Sequence, residues 1–152
     1  MICIKQNRKD VTMSTKGNLK FFEIGYPMID EHHKELFDKL EILSKACEKG
    51  RNIYHIKNLF TYLKEYVLIH FDIEEELQIK YNYPGYLMHK AYHEDFKEMV
   101  LQIEKKFDDT SLNTRLIIKS IDQLSEWLIN HLEIEDTRMV KFFKSHDTTK
   151  NP

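Results

Sequence analysis

Between Ile69 and Phe96 the chain carries two pairs at one spacing, His70 with Glu74 and His89 with His93. Side chains four residues apart lie on one face of a helix, one turn from each other. The Pro84-Gly85 dipeptide between the pairs is a turn signal. The pairs are therefore expected on consecutive helices that reverse direction. Three imidazoles and a carboxylate then converge across a helical hairpin. Imidazole with carboxylate suits zinc, iron and other transition metals, and a carboxylate can bridge two ions.

The rest of the chain agrees with a helical protein. Its 152 residues suit one domain with a proper core. Only 4 Gly and 3 Pro interrupt a sequence rich in Leu, Ile, Lys and Glu. A formal net charge of -2 with mixed signs gives no nucleic-acid surface. No apolar run approaches the roughly 18 residues of a membrane span, and Met1 to Ile4 is too short for a signal-peptide core. Cys3 and Cys47 make no disulfide framework, so a reducing, cytoplasmic setting is expected.

Residues 1–18 are polar and aperiodic and read as a disordered or loosely attached arm, with Met13 as an alternative start. Leu19 to Met28, with Phe21, Phe22, Ile24, Tyr26 and Pro27, is too broken for a helix and too apolar for a free tail. It is expected to lie across the bundle. The first helix is predicted from about Asp30 to Lys49, with Asp30 as cap or first-turn acid and Gly50 as stop. Its apolar stripe is His33, Leu36, Phe37, Leu40, Leu43 and Cys47; His32 points about 100° away. Taken alone, His33 reads as a hydrogen-bonded core histidine.

The second helix is predicted from about Ile53 to Tyr81, capped by Asn52, with Leu59, Leu63, Tyr66 or Val67, His70, Glu74 and Leu77 inward. A carboxylate on that stripe needs a cation or strong donors; Glu75 and Glu76 fall to the side and are expected in solvent. The third runs from about Tyr86 to Phe107, with His89, His93, Phe96, Val100, Ile103 and Phe107 inward. Two histidines a turn apart on an apolar stripe are hard to explain as packing. After a turn at Asp108–Ser111, the fourth runs from about Leu112 to Lys144, with Ile117, Ile121, Leu124, Leu128 and His131 inward and Trp127 beside them as a core aromatic.

The expected fold is all-α: an up-down-up-down antiparallel four-helix bundle over residues 19–144, with an N-terminal arm (1–18) and a frayed tail (145–152). In that topology starts of odd helices meet ends of even ones. His33, His70, His89, His93 and His131 then fall toward one end of the bundle. Five of the 8 histidines at one level is a far stronger signal than any one of them.

At this point the sequence resembles the hemerythrin family, in particular its single-domain bacterial members, from about Phe22 to Phe142. The residues that carry the resemblance are Ile29-Asp-Glu-His-His33-Lys-Glu-Leu-Phe, His70-Phe-x-x-Glu74-Glu, Tyr83-Pro, His89-x-x-x-His93-x-x-Phe96 and Trp127-Leu-x-x-His131-x-x-x-x-Asp136. The resemblance implies a non-haem di-iron centre held by His33, His70, His89, His93 and His131. Glu74, Asp136 and a hydroxide or oxide would bridge the two ions. His89, His93 and His131 would go to one iron and His33 with His70 to the other, which leaves an open position for dioxygen. Asp136 is five residues after His131, about 140° round an ideal helix. Spacing alone points to Glu135, so Asp136 requires a local distortion such as a π-type bulge or an edge-on approach. The family often has Gln where His32 stands, and a frequent Trp before the first helix is replaced here by Phe21 or Phe22.

The function so implied is reversible dioxygen binding for storage, delivery or sensing, by a monomeric non-enzyme whose dioxygen could serve an oxygen-requiring enzyme. Phe37, Tyr66 and Leu128, within a turn of His33, His70 and His131, are candidate walls of the oxygen pocket. The alternative is a di-iron oxidase, peroxidase or nitric-oxide-handling enzyme. Oxidases built on bundles use Glu-x-x-His motifs and more carboxylates; no Glu stands three residues before any histidine here. No His-Glu-x-x-His occurs either, which argues against a zinc hydrolase.

Overall fold

The computed structural model describes residues 23–109 and 113–147. Helix α1 spans Pro27–Glu48, α2 Ile53–Lys80 and α3 Tyr86–Asp108. The last rod of the bundle has three parts: α4 over Thr114–His131, a π-helical turn over Leu132–Asp136, and α5 over Thr137–His146. Its backbone stays right-handed helical through both junctions, with φ -57 and ψ -43 at Leu132 and φ -60 and ψ -42 at Thr137. Each helix packs on the next in the chain and α1 also packs on α4, which closes the four rods around one core. Short links at 49–52, 81–85 and 109–113 force neighbours to run antiparallel. The expected four-helix bundle is what the chain forms.

Local chemistry sets the helix ends. Helix α1 begins three residues earlier than Asp30, because Pro27 needs no N–H partner and its fixed φ suits the first helical position. Asp30 is a first-turn acid whose carboxylate accepts from the N–H groups of Ile24 (2.6 Å) and Gly25 (3.0 Å). At the other end Gly50 takes φ +59, and the N–H of Arg51 reaches back to the Ala46 carbonyl. The Asn52 side chain caps α2 by accepting from the Tyr54 N–H at 2.8 Å. Asn113 caps α4 in the same way through Arg115. Helix α5 continues two residues past the expected end at Lys144.

Two apolar clusters fill the interior. The larger takes Leu36, Leu40 and Leu43 from α1, Phe60, Leu63, Val67 and Phe71 from α2, Phe96 and Val100 from α3, and Ile121, Leu124, Leu128 and Leu132 from the last rod. The smaller joins Ile29, Leu77, Tyr83, Met139, Val140 and Phe143, and Ile24 and Tyr26 pack against it. The described residues just before α1 thus lie across the bundle at this end, held also by Lys144 donating to the Ile24 carbonyl at 3.0 Å. The polar arm at 1–18, Phe21, Phe22, Leu112 and the tail beyond Asp147 lie outside the described residues.

Gly50 offers a clean test of the link between α1 and α2. A Cβ there would meet nothing within 4 Å, so Gly50→Ala adds only the strain of a left-handed backbone. The variant is expected to lose about 1 kcal/mol in urea unfolding, with the metal content of the protein unchanged.

Candidate metal centre

Between the two apolar clusters each rod turns a polar residue inward at the same level. On α1 it is His33, between Ile29 and Leu36. On α2 it is His70 and Glu74, between Val67 and Leu77. On α3 it is His89 and His93, ahead of Phe96. On the last rod it is His131 and Asp136, between Leu128 and Met139. All seven are at most 4% exposed.

The carboxylates divide this layer in two. Glu74 Oε1 lies 3.2 Å from His70 Nε2 and 3.9 Å from His33 Nε2. Its other oxygen, Oε2, lies 3.4 Å from His89 Nε2 and 3.3 Å from His93 Nε2. Asp136 repeats the pattern. Its Oδ2 is 3.1 Å from His33 and 4.0 Å from His70, while Oδ1 is 3.3 Å from His89 and 3.2 Å from His131. Every imidazole presents Nε2 to the layer. Two tight sets result, Glu74 with His89, His93 and His131, and Glu74 with His33, His70 and Asp136. Within each set the ligating atoms all lie within 4.8 Å of one another.

Only some of these contacts are hydrogen bonds, His33 Nε2 with Asp136 Oδ2 at 3.1 Å and His89 Nε2 with Glu74 Oε2 at 3.4 Å among them. His70 Nε2, Glu74 Oε1 and Asp136 Oδ1 have no hydrogen-bond partner of acceptable geometry despite their short contacts. Lone pairs aimed at a common third point produce this pattern, and buried orphaned polar atoms are otherwise expensive. The electrostatics ask for positive charge. Burial pulls the His70 imidazole down, yet Glu74 and Asp136 outweigh it and hold it up at about 10. His89 is lifted to about 9 in the same way, against its burial. Burial and the Asp136 charge push Glu74 up, but His70 and His89 bring it well below its usual range. Burial also pushes Asp136 up, and His131, His33 and His70 outweigh it. A nitrogen- and oxygen-rich set with shared carboxylates fits a pair of iron ions.

The π-helical turn is what brings Asp136 into the layer. A turn of this kind takes one more residue than an α-turn, so five residues bring the chain from His131 round to the same face. The Thr137 hydroxyl donates to the Leu132 carbonyl at 3.4 Å across the turn. Glu135, which spacing alone favoured, is half-buried and pairs with Arg138 at 2.7 Å instead of entering the layer. His33 is fully buried while His32 is half-buried, its ring 5.7 Å from those of His70 and Tyr66.

One expectation needs correction. Glu75 is not in solvent: only 9% exposed, it accepts from His93 Nδ1 at 3.0 Å and from Lys90 Nζ at 2.9 Å. Burial raises its carboxyl, but Lys90 and His93 outweigh that and hold it below its usual value. The missed signal was Lys90, one residue past His89 and so placed to reach across the hairpin. Trp127 packs against the large cluster as expected, and its indole also stacks on the His131 ring at 4.9 Å and 9°. Phe71 stacks likewise on His93, at 3.7 Å and 7°. Of the candidate pocket walls, Leu128 is buried in the large cluster, and Phe37 and Tyr66 are half-buried against it.

The chain can now be set beside known proteins. The sequence profile of the hemerythrin HHE cation binding domain matches residues 24–143. A bacteriohemerythrin of Stenotrophomonas maltophilia is 29% identical over 126 residues, 81% of this chain and 78% of the relative. A bacteriohemerythrin of Clostridium acetobutylicum is 28% identical over 125 residues, 78% of this chain and 94% of that protein. The myohemerythrin of Theromyzon tessulatum is 28% identical over 117 residues, 76% and 82% of the two chains. The match covers all four rods and the whole polar layer, and the buried His/Glu/Asp cluster is compatible with a non-haem di-iron site. This chain belongs to the hemerythrin family.

Proposed function

We propose that the protein binds dioxygen reversibly at two non-haem iron ions. One ion would be held by His89, His93 and His131, the other by His33 and His70, with Glu74 and Asp136 spanning both and a hydroxide or oxide as third bridge. The observation that carries this reading is the division of the two carboxylates, each giving one oxygen to the three-histidine side and one to the two-histidine side. Three histidines against two would leave one ion a ligand short, as a site for a small ligand requires. A reduced iron pair held there would supply two electrons to dioxygen and recover them on release.

The chain's part is to hold the ions and keep water out. The five imidazoles would donate through neutral Nε2 atoms without adding negative charge, so the site favours ferrous iron more than a carboxylate-rich one would. Leu128, with Phe37 and Tyr66, would wall the two-histidine side. Leu128 and Phe37 deliver no proton to a bound ligand and the Tyr66 hydroxyl is engaged by Glu35, which favours intact release over reduction to peroxide. The same reading makes the protein a cytoplasmic monomer that stores, delivers or senses dioxygen and can serve an oxygen-requiring enzyme. Two observations are in keeping with this: Cys47 is a buried free thiol, and among the described residues no helix is long and apolar enough to cross a membrane.

Metal analysis of iron-replete protein should give two irons per chain; one ion, or mostly zinc, would overturn the di-iron reading. Removing the metal should destabilise the bundle, because the polar layer would remain between its apolar clusters.

Asp136→Ala should weaken iron retention by more than the roughly 10–100-fold typical of losing a residue that merely supports a ligand, whereas Glu135→Ala should keep both irons. The reverse result would show that the π-helical turn does not select the bridge.

Reduced protein exposed to air should form an oxygen adduct that returns to the reduced form under argon, with dioxygen recovered. Leu128→Ala should cost about 2–5 kcal/mol of stability and hasten autoxidation while leaving two irons in place. Decay within one cycle to oxidised iron plus peroxide, with rapid turnover on added reductant, would replace the carrier by an oxidase.

A further inference from the structure

The five imidazoles of the polar layer are alike at Nε2 and different at Nδ1. His93 Nδ1 faces Glu75 Oε1 at 3.0 Å. A carboxylate can only accept, so the proton sits on Nδ1 and Nε2 is left bare toward the layer. His70 Nδ1 and His89 Nδ1 are buried with no hydrogen-bond partner. Glu75 is tied in turn by its second oxygen, Oε2, to Lys90 Nζ at 2.9 Å. Lys90 is 43% exposed and Glu75 only 12% by its side chain, so the pair runs from the buried ring out to water. Phe71 covers the flat face of the same ring at 3.7 Å. His93 is therefore fixed in plane by one neighbour and in rotation by another.

The geometry points to Glu75 as the positioning residue of His93, and to the Lys90–Glu75 pair as the setting of how strongly that imidazole donates to the ion on the three-histidine side. This rests on the di-iron reading above. An anion on Nδ1–H pushes electron density toward Nε2 and makes the ring a better donor. Lys90 partly cancels that anion, so it acts in the opposite sense. The ring of His93 thereby gains an electronic push that the unpartnered Nδ1 atoms of His70 and His89 do not supply to theirs. Glu75 directly follows Glu74, so one turn of α2 supplies both a bridge to the ions and the support for a ligand on α3.

The test uses the full-length, iron-loaded protein and three readouts: iron per chain, the rate of iron release to a ferrous chelator, and the midpoint potential of the iron centre by spectroelectrochemical titration. Glu75→Gln keeps an oxygen that can accept from Nδ1–H but removes the charge. It should hold two irons with a raised midpoint potential. Lys90→Met should shift the potential the other way. Glu75→Ala should weaken iron retention by about 10–100-fold, and Glu76→Gln, on the exposed neighbour, should change nothing. A purely structural role for Glu75 would leave the Glu75→Gln potential at the parental value, and that result overturns the inference. A Lys90→Met shift in the same direction as Glu75→Gln overturns the charge argument. A parent protein without two irons fails the di-iron reading itself and this inference with it; a parent with two irons beside an unmoved Glu75→Gln fails the inference alone.

Discussion

A carboxylate taken out of water loses several kcal/mol of hydration that only a cation or a full set of donors can replace. This bundle takes two, Glu74 and Asp136, to complete burial. It surrounds them with five imidazoles, and most of the fold can be read as the means of keeping that layer in place. An apolar cluster packs on each side of it, the larger built around Leu36, Phe71, Phe96 and Leu128, the smaller around Ile29, Tyr83 and Phe143. The polar layer interrupts the core, and the core isolates the polar layer.

The four-rod architecture follows from how the ligating atoms are shared out. No single helix could present seven inward polar groups without losing its apolar stripe, so each rod contributes one or two. The antiparallel order then sets the level: α1 and α3 give residues near their starts, α2 and the last rod residues past their middles. The ring that stacks on His131, Trp127, comes from the same rod one turn earlier, and Phe71, which stacks on His93, comes from α2 next to His70. Packing and ligand orientation are thus set by the same side chains.

Much of this was legible from residue spacing. The i, i+4 pairs at His70/Glu74 and His89/His93 marked a helical hairpin with a polar lining, and the stripe through Leu36 selected His33 over His32. The Asn52 cap and the Gly50 stop placed the first link within a residue or two. What escaped was tertiary. Glu75 lies off the apolar stripe of its own helix and is buried only because Lys90 and His93 arrive from another. Helical periodicity cannot see that. Asp136 was reached through family resemblance; periodicity pointed to Glu135, because it assumes one constant turn. The start of α1 was placed late because Pro27 was read as a breaker where it serves as a first residue.

The π-helical turn reaches beyond Asp136. It is a phase slip of one residue in a rod that is otherwise α-helical. Upstream, the inward residues step through Ile121, Leu124, Leu128 and His131; downstream they step through Asp136, Met139, Val140 and Phe143. The two series cannot be joined by a single α-helical phase, so the rod works as a vernier with one division too many. Were the turn to close as an α-helix with every residue kept, the rod beyond it would fall out of phase. Asp136, Met139, Val140 and Phe143 would all rotate by about 100° from the inward face. The metal layer and the end cap of the bundle are therefore not independent parts, because both are indexed by the same inserted residue.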